Sequence, residues 1–112
     1  GEAMLFDASA AADGCVRLGP LTVQSRRPLQ AGAVKVAVRP EAWHLVAPGE
    51  GALAGTLLKH SYLGSFQELT VQTALGEIFV ISPDVARAWT VGDALALALP
   101  GTHGVSVVQA GG

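Results

Sequence analysis

Apolar residues in this chain recur at every second position, in runs too short to be anything but strands. Val34, Val36 and Val38 alternate with Lys35, Ala37 and Arg39. Leu69, Val71 and Thr73 alternate with Glu68, Thr70 and Gln72. Leu95, Leu97 and Leu99 alternate with Ala94, Ala96 and Ala98. Successive side chains of a strand point to opposite faces, so each run can bury one face. The alanine–leucine run suits a helix by propensity. The leucine spacing and the closing Pro100-Gly101 point to a strand instead. Turn signals separate the runs. Gly19-Pro20 divides Cys15–Leu18 from Leu21–Gln24. Ala74-Leu75-Gly76 divides Gln67–Thr73 from Glu77–Ile81 and reads as a hairpin with Gly76 in the left-handed region. A loop over Ala47–Gly51 precedes a strand over Ala52–Lys59. Ala8–Ala12, all small residues, reads as a loose turn. Several short strands at this spacing predict an all-β fold, a small barrel or sandwich.

One segment reads as a short helix, Pro83–Trp89. Ser82 can cap it, Pro83 suits the first helical position, and Asp84 complements the dipole. Val85, Ala88 and Trp89 would share a face, and Gly92-Asp93 would end the segment. Phe6, Phe79, Trp43 and Trp89 read as core, and Cys15, beside Val16, as a packed thiol.

Composition narrows the function. The 112 residues suit one domain over 1–112. Seven basic and nine acidic side chains leave a net charge of −2, which is no footprint for duplex nucleic acid. The longest apolar run, Ala94–Leu99, is far too short for a membrane-spanning helix. The lone Cys15 rules out an internal disulfide and suits a reducing compartment. No phosphate loop, HExxH or paired CxxC occurs, and His44, His60 and His103 are widely spaced. These features predict no catalytic residue, no metal and no cofactor held by this chain. Of six aromatic residues, only Tyr62 and Phe66 lie near a basic one, Lys59, which is weak support for stacking single-stranded nucleic acid.

Three short motifs remain. Val36-Ala37-Val38-Arg39-Pro40-Glu41 runs into Trp43-His44-Leu45. After Ala54-Gly55-Thr56-Leu57 comes Tyr62-Leu63-Gly64, and Gly92-Asp93 precedes the last leucine run. Pro40 has no amide hydrogen and holds Arg39 extended, so it ends a strand and lets Arg39 and Glu41 project. Arg39 can then serve an internal clamp or an interface. Gly64 permits a tight bend, and Tyr62 offers a ring for core or interface.

The order R-P-E, Y-L-G, G-D resembles the C-terminal TOBE domain of ABC importer ATPase subunits of the maltose, polyamine and ferric-iron type. Gly1–Phe6 also looks like the stretch that follows the ATPase lobe in that family, usually G-x-x-N-x-F, with Met4 in place of the asparagine. The resemblance implies an OB-like barrel with one short helix, cut from a longer subunit. It implies that ATP and magnesium belong to an N-terminal nucleotide-binding domain of the same parent chain. The implied partners are that domain, a second copy of the subunit and, indirectly, membrane permeases. The implied place is the cytoplasmic face of the membrane. Arg39, Pro40, Glu41, Tyr62, Leu63, Gly64, Gly92 and Asp93 are the candidate interface or structural residues. Two other functions are compatible with the motifs: an oxyanion sensor using a backbone nest beside Gly64 and Ser65, and an oligonucleotide-binding barrel.

Overall fold

The computed structural model describes residues 2–109. Ten strands form two five-stranded antiparallel sheets. The first sheet holds β1 (Met4–Ala10), β2 (Cys15–Leu18), β3 (Leu21–Gln24), β4 (Gly32–Val38) and β10 (Val105–Gln109). The second holds β5 (His44–Val46), β6 (Leu53–Tyr62), β7 (Gln67–Thr73), β8 (Gly76–Ser82) and β9 (Ala94–Ala98). The all-β expectation holds, and the chain's only regular helical piece among the described residues is a 3-10 turn, Pro40–Ala42.

The chain visits the sheets in a repeated pattern. In the first, the order is β10-β4-β1-β2-β3; in the second, β5-β9-β6-β7-β8. Each half is a three-strand meander whose fourth strand returns beside the first. Each half then gives its fifth strand away: β5 follows β4 but pairs with β9, and β10 follows β9 but pairs with β4. The two crossovers, Arg39–Trp43 and Leu99–Gly104, therefore interlock the halves. The two-residue hairpin turns of the halves also meet, with Leu75 packed close to the α-carbon of Gly19.

The alternation read from the sequence is what the sheets bury. Val34, Val36 and Val38 are buried and Lys35 is exposed. Leu69 and Val71 are buried in β7, with Ile78 and Val80 beside them in β8. In β9, Leu95, Ala96 and Leu97 are all buried, so both faces of this strand are covered. Trp43 plugs the core with its ring edge-on to Phe6 at 5.9 Å and 83°. Its indole N–H is buried without a hydrogen-bond partner among the described residues, a cost that the apolar burial of the ring outweighs.

Four expectations are corrected. Pro83–Trp89 is not helical; it is a chain of bends. The capping groups act as foreseen, with Ser82 Oγ accepting from Asp84 N–H and Asp84 Oδ1 accepting from Ala86 N–H. The turn does not propagate because Gln67 takes the carbonyls of Asp84 and Arg87, of which the former would be needed inside a helix. Ala8–Ala12 is not a loose turn: β1 runs to Ala10 and pairs with β4 from Met4↔Val38 to Ala10↔Gly32. A full ladder overrides the weak strand preference of alanine and serine. Phe79 is half-buried, because Ile78 and Val80 hold the inward positions of β8. Cys15 is likewise half-buried, with Val16 taking the inward place in β2.

Candidate functional site

The three motifs occupy three joints of this fold. Arg39 ends β4 in extended geometry, with φ −77° and ψ 151°, and Pro40 opens the 3-10 turn. Pro40 and Ala42 are buried; Arg39 and Glu41 are exposed. The Arg39 N–H donates to Gly104 C=O at 2.9 Å, and the Ala42 N–H donates to Arg39 C=O at 3.0 Å. The first of these bonds ties one crossover to the other. Gly104 has φ +76°, and a β-carbon there would stand 3.1 Å from the Ala42 Cβ. The crossovers touch so closely that glycine is required at their crossing.

Tyr62-Leu63-Gly64 forms the turn from β6 into β7. Gly64 has φ +87°, and the Leu63 N–H donates to Phe66 C=O at 2.9 Å. Tyr62 is 58% and Leu63 48% exposed, so neither is core. The Ser65 N–H donates to Leu63 C=O at 3.2 Å, which spends one of the amides a nest beside Gly64 would use.

Gly92-Asp93 closes the loop before β9. The Asp93 carboxylate accepts from Thr90 N–H at 2.9 Å, and Asp93 N–H donates to Thr90 C=O at 2.9 Å. The Gly92 N–H donates to Leu57 C=O at 2.8 Å, and Leu57 N–H donates to Asp93 C=O at 2.9 Å. These two bonds fix the turn against β6 where its pairing with β7 slips between Leu57 and Lys59. Gly55, on the same strand, lies so near Val71 Cγ1 that a side chain there would have to displace it.

Two features were not foreseen. Gln67 is 1% exposed, and its amide N–H2 donates to Asp84 C=O at 2.8 Å and Arg87 C=O at 2.9 Å. Its Oε1 faces His60 Nε2, which must be the donor because an amide oxygen only accepts. Alternation carried the signal: Gln67 shares the inward parity of Leu69 and Val71. The second feature is a cationic corner. Arg26 Nη2 donates to Thr102 C=O at 3.1 Å and Thr102 Oγ1 at 3.0 Å, beside Arg39 and His103. Paired arginines before Pro28 gave no hint of a partner 76 residues away.

Among the described residues, no three His, Cys, Asp or Glu side chains gather to hold a metal ion, and no helix is long and apolar enough to cross a membrane.

A fold of two interlocked half-sheets with motifs at the joints defines a class. The TOBE domain family model matches residues 36–107, and the chain belongs to that family. Within it, the chain is 38% identical over 77 residues to the Fe(3+) ions import ATP-binding protein FbpC 1 of Rhizobium meliloti (strain 1021), covering 68% of this chain and 22% of that protein. It is 41% identical over 61 residues to FbpC of Rhizobium etli, covering 54% of this chain and 17% of the relative. The chain thus spans about a fifth of the length of these curated relatives. The fold also matches the cytoplasmic molybdate-binding protein ModG, solved with molybdate bound, at a TM-score of 0.71 and 17% identity over 95% of both chains. That likeness is one of fold.

Proposed function

We propose that this chain is the C-terminal regulatory domain of the ATP-binding subunit of an ABC importer, with ferric iron the favoured cargo. The observation that supports it is the 38% identity over 77 residues to an Fe(3+) ions import ATP-binding protein. In this reading ATP and magnesium are held by a nucleotide-binding domain N-terminal to Gly1, and the chain contributes no catalytic residue. Its work is mechanical. It joins two ATP-binding subunits while their nucleotide lobes open and close, docked beneath the permease on the cytoplasmic face. Such pairing is isologous, the same patch on both copies.

The interlocked halves suit that task. A domain whose two sheets exchange strands moves as a unit, so displacement at one end reaches the other. The β6–β7 hairpin supplies an apolar contact: Tyr62 and Leu63 at its tip are both exposed, and Leu58 is exposed earlier on β6. Exposed apolar groups grouped this way mark an interaction surface. The test substitutes Leu63→Asp in the full ATP-binding subunit. The isolated domain should keep its melting temperature, because Leu63 is 48% exposed, while solute uptake by the importer falls severalfold. Unchanged uptake with an intact domain would remove the hairpin from the coupling surface.

A further inference from the structure

Among the described residues, the first sheet has two open edges. Its order is β10-β4-β1-β2-β3, so β10 and β3 each pair on one side only. The sheet curls until these edges flank one cleft of about 390 Å³, with Val23 and Gln24 on the β3 wall and Val105 and Val107 on the β10 wall. One contact fixes the hydrogen-bond parity of β10. The Arg39 N–H donates to Gly104 C=O, so residues 104, 106 and 108 turn their backbone groups toward β4. Val105, Val107 and Gln109 turn theirs outward. The Val105 N–H donates to Thr102 C=O at 3.2 Å; the Val105 C=O and both backbone groups of Val107 pair with nothing among the described residues. On the other wall the Ser25 N–H donates to Gly14 C=O, which by the same parity turns the backbone groups of Thr22 and Gln24 outward.

The side chains divide the cleft into a floor and a rim. Val105 and Val107 stand opposite Val38 and Val36 and share their core face. Val36 and Val38 are 0% exposed, whereas Val105 and Val107 are only half-buried. With Val23 and Leu29 they make an apolar floor that the chain itself leaves uncovered. Arg26 and Arg27 stand exposed at the rim, and among the described residues no Asp or Glu lines the cleft. Arg26 is held at one end of it by the bond from Nη2 to Thr102 C=O. Exposed strand edges are commonly blunted by charged side chains or proline. β10 reads Val-Ser-Val-Val-Gln and carries neither.

We propose that this cleft seats an extended segment of a partner protein, alternating apolar and acidic residues, which adds to the sheet as a sixth strand along β10. The open edge at Val107 supplies the main-chain bonds. Successive side chains of the added strand point to opposite faces, so one set covers the apolar floor and the other meets the rim. The rim is basic, and an acidic set satisfies it. Backbone pairing provides affinity here, and the alternation of side chains provides selectivity. The seat belongs to the first sheet and the Tyr62–Leu63 hairpin to the second, so failure of the importer reading leaves it standing.

The test uses a fluorescein-labelled octapeptide that alternates valine and glutamate, titrated with the chain and followed by anisotropy at low ionic strength. It should bind saturably. A peptide of the same composition with its valines and glutamates in two blocks, and one alternating valine and lysine, should each bind about tenfold more weakly or worse. Amide exchange read by NMR should slow at Val107 when the valine–glutamate peptide is bound. Val107→Pro deletes an N–H that points away from β4, a position where an edge strand tolerates proline, so the variant should fold and lose about tenfold or more in affinity. Arg27→Glu, an exposed change, supplies a second variant should Val107→Pro fail to fold, and should weaken binding severalfold. Lys59→Gln, on β6 in the other sheet, should change nothing. Absence of saturable binding, equal affinity for the blocked or lysine peptide, unchanged exchange at Val107, or unchanged binding in folded Val107→Pro or in Arg27→Glu would overturn the proposal. A chain that dimerises on its own with the Val107 amide already protected would assign the edge to a second copy and overturn it too.

Discussion

Gln67 carries an amide into an apolar layer and spends all of it on three partners. Its two N–H groups hold the carbonyls of Asp84 and Arg87, and its oxygen accepts from His60. The 83–89 loop owes its path to this side chain, and the path places Trp89 in the core with the Arg87 guanidinium 3.9 Å from its ring centroid. Gln67→Leu keeps the volume and removes the bonds. It should cost about 1–3 kcal/mol by urea denaturation. A change below about 0.5 kcal/mol would mean that water replaces the amide without loss. The same residue shows where local reading stops. Ser82, Pro83 and Asp84 form a sound helix start, and their capping bonds do form. A helix of two turns is too short to stand on its own hydrogen bonds. A partner 17 residues away decides the conformation, and nothing inside the segment announces it.

Strands were the legible elements, because burial of one face writes itself into a period of two. β4, β7 and β9 were visible for that reason, and the hairpin over Ala74-Leu75-Gly76 through its glycine, at φ +101°. β1 was harder: Ala8, Ser9 and Ala10 carry no alternation, and it is the ladders to β4 and β2 that make them a strand. The division into two sheets was hidden altogether. It depends on which sheet the fifth strand of each half joins, and the crossovers decide that. Their contact is tight at Gly104, whose carbonyl accepts from Arg39 N–H and whose α-carbon faces Ala42. Gly104→Ala meets both a positive φ and a neighbour at 3.1 Å. It should destabilise the chain by about 1–3 kcal/mol, read as a lowered thermal midpoint with the far-ultraviolet strand signal retained below it. An unchanged midpoint would show that the crossovers can part without cost. Of the candidate residues, Gly92 and Asp93 were legible as a turn, and Pro40 as a strand end. The Arg26 corner was not, since its members come from three separate stretches of chain.

The interlocking of two similar halves is the feature of the whole molecule on which the proposed mechanical role rests. Each half gives its fifth strand to the other sheet, so neither completes a sheet alone. That suits a part that joins two subunits through a cycle of opening and closing. The claim is best tested on the ATP-binding subunit proposed to carry this domain, by sedimentation velocity without nucleotide, with and without residues 2–109. The intact subunit should sediment as a dimer, and the truncated one as a folded monomer that pairs only when ATP is added. A truncated subunit that remains dimeric without nucleotide would contradict the proposal that this domain holds the pair together.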